Sequence, residues 1–140
     1  MKMDKGFTFV ETIIVLAIIL ILSASIGISG SKYIEQSRES SAITEIAMYT
    51  NALNSYYFDC GIFPSEMQGL SALWSKPDYH PVPENWHGPY VNKEPSSDPW
   101  GKDYIYKDVN EFGLPFSIIS TGPDGLEFGG TTDDNIYSWK

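Results

Sequence analysis

Residues 7–28 read FTFVETIIVLAIILILSASIGI, an apolar run with one charged residue, Glu11, and about the length that crosses a hydrocarbon core as a helix. Lys2 and Lys5 precede the run, and the next basic residue is Lys32. By the positive-inside rule the N-terminus stays cytoplasmic and everything after the span is exported. Three readings compete for the segment: a secretory signal peptide cut near Ser23-Ala24-Ser25, a plain membrane anchor, or a short leader joined to an assembly helix. Glu11 is the discriminating residue. A carboxylate at the centre of such a span costs on the order of 2.5–3.5 kcal/mol, so it demands a partner unless it snorkels to the interface.

Lys5-Gly6-Phe7-Thr8-Phe9-Val10-Glu11, followed at once by the long apolar run, resembles the prepilin peptidase site of type IV pilins and type II secretion pseudopilins. The resemblance implies cleavage between Gly6 and Phe7, N-methylation of Phe7, and Glu11 as the fifth residue of the mature chain. It also implies an assembly role for Phe7 and Glu11, because the new ammonium group would be neutralised by a nearby Glu11 inside a greasy helical bundle. Ile28 stands where most relatives carry a proline at which the helix often melts. Gly27 and Gly30 flank it, and glycine weakens a helix by about 1 kcal/mol relative to alanine, so the sequence leaves open whether the helix opens there.

Beyond Ser31 the pattern turns amphipathic, with Ile43, Ile46, Ala47, Thr50, Leu53, Asn54 and Tyr57 at spacings of three and four along one helical face. With no proline before Pro64, one nearly continuous helix is expected over about 7–58, roughly 75–80 Å long. Many copies packed about a common axis would bury such stems in one another; a simple tether is the competing reading. The prolines between 59 and 101 forbid long helices, although a short one fits between Ser65 and Ser75 with Met67, Leu70, Leu73 and Trp74 on one face. Strands are expected at Tyr104-Ile105-Tyr106 and at 116–120, forming a small antiparallel sheet on the helical stripe, with Ile136, Tyr137 and Trp139 as a last short strand or an apolar plug.

Composition narrows the function. Asp and Glu outnumber Lys and Arg 18 to 9, giving a formal charge of −9 that repels nucleic-acid phosphates and favours hard cations. Cys60 is the single cysteine, so no intrachain disulfide forms; it is expected to be a half-buried apolar residue, with a bridge between subunits as the alternative. His80 and His87 lack partners at zinc spacing. Neither a Ser-His-Asp arrangement nor a phosphate-binding glycine motif is present, so an enzyme is not expected.

The second half narrows the resemblance. Phe63-Pro64 with Gln68-Gly69-Leu70, Asp98-Pro99-Trp100-Gly101 with Tyr104, Ser120-Thr121-Gly122-Pro123-Asp124-Gly125, and Asp133-Asp134 with Ile136 and Trp139 are similar, in order, to motifs of the major pseudopilin family of type II secretion systems. The implied fold is α+β and type IV pilin-like: a long N-terminal helix packed on a small antiparallel β-sheet, with a loop-rich connecting segment. The implied organisation is a leader at 1–6, a transmembrane and assembly helix at 7–30, and a periplasmic globular domain at 31–140.

Residues 123–135 carry Asp124, Asp133 and Asp134 on a glycine-rich stretch, whose like charges call for compensation by an oxygen-seeking cation or by solvent. The resemblance implies Ca2+ there, held by Asp124, by Asp133 and Asp134, and by neighbouring carbonyls, for which those of Thr121 and Leu126 are the candidates. One extra residue before Ile136 leaves Asp134 and Asn135 as the alternative pair. It further implies a subunit that polymerises through its N-terminal helices into the periplasmic pseudopilus and helps drive folded proteins across the outer membrane. The implied partners are the prepilin peptidase, the inner-membrane secretion platform, the minor pseudopilins and the membrane, with no nucleic acid. The implied location is the inner membrane, single pass, N-terminus cytoplasmic. A type IV or competence-type pilin outside the cell, or a non-polymerising tethered calcium-binding domain, are the alternatives.

Overall fold

The computed structural model describes residues 8–108, 113–127 and 134–139; the side chains of 24–29 lie outside the description. One helix, α1 (Phe9–Cys60), is followed by a short 3₁₀ helix (Gly69–Leu73) and three strands, β1 (Ile105–Lys107), β2 (Ser117–Ser120) and β3 (Ile136–Tyr137). Chain contacts divide the molecule into Met1–Ser37 and Arg38–Lys140.

In the first unit α1 begins after Thr8, where Thr12 N–H donates to the Thr8 carbonyl at 3.1 Å. The expected start at Phe7 falls outside the described residues. The side chains from 9 to 23 are all exposed, Phe9 at 80% and Leu20 at 70% among them. Among the described residues no helix is long and apolar enough to cross a membrane.

The second unit holds the core. Ala42, Ile46, Tyr49, Leu53 and Tyr56, spaced four and three apart, form the buried face of α1. The expected stripe is therefore corrected: Ile46 and Leu53 are buried, but Ile43, Ala47, Asn54 and Tyr57 are exposed. The cause is the two tyrosines, whose large rings outweigh their single hydroxyls and pull the buried face round. Tyr49 meets Tyr104 edge-on at 5.5 Å, and Tyr56 meets Tyr90 at 5.6 Å. Tyr104 also donates to Glu45 at 2.8 Å, fastening the approach to β1 onto the helix.

The sheet is antiparallel throughout, in the order β1-β2-β3, with Tyr106 opposite Ile118 and Ile119 opposite Tyr137. β2 is buried at every residue, which is why this central strand reads as the continuous run Ser-Ile-Ile-Ser. In the connecting segment the short helix is shorter than expected and turned: Leu70 and Leu73 are buried with Ala72, whereas Met67 is 82% exposed. Gln68 occupies the buried place instead, its amide donating to the carbonyls of Tyr79 and Pro81 at 2.8 and 2.9 Å. Cys60 is half-buried, with Sγ 3.9 Å from the Asn85 carbonyl and 4.0 Å from the Tyr90 hydroxyl. Burial pushes its thiol above the ordinary value.

Candidate functional site

Two places carry the residues singled out by the sequence. At the start of α1, the Thr8 hydroxyl accepts the Glu11 N–H at 3.3 Å and a Glu11 carboxylate oxygen accepts the Thr8 N–H at 3.5 Å. This reciprocal pair is a capping box, which satisfies N–H groups that a helix start otherwise leaves without acceptors. The sequence signal is Thr8-x-x-Glu11, hidden by reading Glu11 only as a partner for a charge. Gly6 and Phe7, the implied cleavage and methylation positions, lie outside the described residues.

At the other end of the chain, β2 runs into a tight turn. Gly125 N–H donates to the Thr121 carbonyl at 3.2 Å, and Leu126 N–H donates to Asp124 Oδ1 at 3.0 Å. Gly122 and Gly125 take φ of 62° and 73°, a conformation L side chains avoid. Thr121 is buried, while Asp124, Leu126 and Asp134 are exposed. Asp133 lies outside the described residues. The turn and Asp134 meet through Gly122, because a Cβ there would stand 2.6 Å from the Asp134 carbonyl oxygen. Asn135 donates to the Glu127 carbonyl at 2.9 Å and to the Tyr137 hydroxyl at 3.2 Å.

The turn thus carries the Thr121 carbonyl and Asp124, and the backbone carbonyl of Asp134 stands against its Gly122. Oxygen donors of this kind are the chemistry a hard cation such as calcium takes, and glycine at 122 leaves room for the Asp134 carbonyl to approach. Among the described residues, no group of three or more His, Cys, Asp or Glu is placed to hold a metal.

Asp98 underpins this turn and was read from the sequence only as part of a motif. It is 4% exposed, and its Oδ1 accepts the N–H groups of Trp100 and Lys102 at 3.0 and 2.9 Å. Its Oδ2 accepts the Ser120 hydroxyl at 2.7 Å, and the Ser120 oxygen accepts Gly122 N–H at 3.4 Å. Two lysines also reach the turn region: Lys102 Nζ lies 3.4 Å from the Pro123 carbonyl, and Lys107 pairs with Glu127.

The family model described as "Type II secretion system (T2SS), protein G" matches residues 31–139, and that of the prokaryotic N-terminal methylation motif matches residues 1–27. The chain belongs to the type II secretion system protein G family. Its relatives include the type II secretion system core protein G of Vibrio cholerae, 35% identical over 143 residues, covering 100% of this chain and 94% of the relative. The Pseudomonas aeruginosa protein of the same description is 35% identical over 138 residues, covering 99% and 96%. Among solved structures, the major pseudopilin from the type 2 secretion system of enterohaemorrhagic Escherichia coli aligns with a TM-score of 0.64 at 31% identity, over 79% of this chain and 92% of that one. The family is one of structural pseudopilin subunits rather than enzymes, and the pilin-like α+β fold expected from the sequence is the fold observed.

Proposed function

We propose that this protein G family member polymerises through its N-terminal helices into the periplasmic pseudopilus of a type II secretion system. The observation that carries the reading is the exposed apolar face of α1 from 9 to 23: side chains such as Phe9, Leu20 and Ile21 are 80%, 70% and 68% exposed. A chain cannot leave that much apolar surface in water, and burial at about 25 cal/mol per Å2 strongly favours either lipid or neighbouring copies of the same helix. Before assembly the subunit sits in the inner membrane as a single-pass precursor, N-terminus inside. The prepilin peptidase then cuts it between Gly6 and Phe7 and methylates Phe7, in keeping with the methylation motif over residues 1–27. The secretion platform and minor pseudopilins are its further partners, and folded exported proteins its cargo.

Calcium is proposed for the C-terminal loop, with Asp124, Asp134 and the carbonyls of Thr121 and Leu126 as ligands and either Asp133 or Asn135 completing the pair. The ion would supply positive charge to like-charged carboxylates and fasten the loop to the end of β2. Intact-mass analysis of the protein from native membranes tests the processing, and crosslinking through cysteines placed in 9–23 tests polymerisation. A chain beginning at methylated Phe7 that yields crosslinked ladders is expected. Unmethylated monomers starting at Met1 or near Ser25 would overturn the reading.

A further inference from the structure

Lys102 sits in the loop after the Asp98 turn, where its backbone N–H is held by Asp98 Oδ1 at 2.9 Å. That anchorage directs its side chain across to the turn after β2. Nζ reaches the Pro123 carbonyl at 3.4 Å and lies flat against Gly125, where an added Cβ would stand 1.9 Å from Nζ and 2.6 Å from Cε. Gly125, with φ at 73°, therefore serves two needs at once: the left-handed turn, and room for the lysine. The ammonium group is placed on a turn that carries Asp124, one of the carboxylates proposed above for calcium, and whose Gly122 abuts the Asp134 backbone carbonyl.

We infer that Lys102 is the resident cation of this loop, holding the Pro123-Asp124-Gly125 turn closed in the metal-free chain. The inference rests on the calcium reading for its second half only: if the loop also takes calcium, lysine and metal act on the same negative charge and each diminishes the need for the other. Such antagonism is reciprocal, so removing the lysine makes the loop depend on the metal. A neutral side chain of similar length, Lys102→Met, removes the ammonium group while keeping the apolar stem; Lys102→Arg keeps the charge.

The test is limited chymotrypsin digestion of the full chain in detergent, with cleavage after the half-exposed Leu126 followed by mass spectrometry, in chelator and in millimolar calcium. Cleavage of a loop tracks the population of its open form. In chelator, Lys102→Met is expected to be cut after Leu126 about tenfold faster than the wild type, and Lys102→Arg at nearly the wild-type rate. Calcium is expected to return Lys102→Met to within about threefold of the wild type. Equal rates for Lys102→Met and the wild type in chelator would overturn the inference. Cuts elsewhere in the domain accelerated over the wild type as much as the one after Leu126 would also overturn it, since Lys102 would then hold the whole domain and not this turn. If Lys102→Met is cut fast at Leu126 with and without calcium, the lysine stands as resident cation and the calcium reading falls.

Discussion

Asp98 and Ser120, 22 residues apart in sequence, are joined by a 2.7 Å hydrogen bond in which the buried Ser120 hydroxyl donates to the buried Asp98 carboxylate. The bond ties the turn before β1 to the last residue of β2, and through Ser120 to Gly122 at the mouth of the candidate loop. Asp98→Ala removes the acceptor of three hydrogen bonds and strands the buried Ser120 hydroxyl, at roughly 1–3 kcal/mol, together with the part-buried N–H groups of Trp100 and Lys102, at less each. Ser120→Ala removes one donor and is expected to cost about 1–2 kcal/mol. In denaturant titrations the double variant should be less destabilised than the sum of the two, because both act through the same bond. Strict additivity would remove the coupling.

Glu11 has two jobs that one substitution separates. Glutamine at the third helical position still reaches back to the Thr8 N–H, so Glu11→Gln keeps the capping box but lacks the charge proposed to neutralise the Phe7 ammonium group. Helicity should be nearly unchanged by circular dichroism. Filament yield should fall at least about tenfold, as expected for an ammonium group left buried without its counter-charge. Thr8→Val is expected to show the opposite profile, losing about 1 kcal/mol of helix stability with assembly largely kept. Normal filaments from Glu11→Gln would leave capping as the whole role of Glu11.

What was legible in the sequence is what local chemistry dictates. Residues 104–106 and 116–120 announced strands because β-branched and aromatic side chains cluster there between turn formers, and α1 announced itself by its length without proline. The buried face of α1 was displaced because spacing alone admits neighbouring stripes, and the one anchored on Ile43 and Tyr57 lies beside the one that Tyr49 and Tyr56 fill against the core. Gln68 and Asp98 were invisible as buried anchors for a different reason. Their partners, Tyr79, Pro81 and Ser120, lie 11, 13 and 22 residues away, and no local pattern encodes such a pairing. At the candidate loop the sequence supplied Asp124 and Asp134, but the lysine lying over Gly125 came from the other side of β1.

Calcium that binds the native loop stabilises it by an amount that grows with the logarithm of its concentration, about 2.7 kcal/mol at a hundredfold excess over Kd. For a domain of this size each kcal/mol moves the melting temperature by roughly 4–8 °C. At that excess chelation should therefore lower the melting temperature by roughly 10–20 °C, and magnesium should restore less of it than calcium because it demands a tighter octahedral shell. Identical midpoints with and without chelator would reject the site.

Gly122 offers a check on the same site from the backbone side. Alanine there has to hold φ near 62° with its Cβ 2.6 Å from the Asp134 carbonyl oxygen. The expected loss is on the order of 1–3 kcal/mol, together with most of the response to chelator, since Asp134 is driven off the turn. A Gly122→Ala variant that kept the wild-type chelator shift would show that Asp134 does not act through this approach.

The core tyrosines set an alkaline limit. Burial pushes Tyr56 up to about 12, and raises Tyr104 and Tyr106 as well; the Glu45 carboxylate that accepts the Tyr104 hydroxyl adds to the burial effect there. Unfolded tyrosines ionise near pH 10, so above that value the unfolded chain binds fewer protons than the native one, and stability falls as pH rises. Below about pH 10 the contribution of these groups is fully present; for Tyr56 it is lost as pH climbs from about 10 to about 12. Each tyrosine held neutral contributes a slope of up to about 1.4 kcal/mol per pH unit in that window. Denaturant midpoints measured across it should drop steeply, with phenolate absorbance appearing together with unfolding. Tyr104→Phe should reduce the slope, because phenylalanine has no proton to lose. Full phenolate absorbance in a chain that is still folded would mean that these rings are open to solvent, and the core built on Tyr49, Tyr56 and Tyr104 would have to be redrawn.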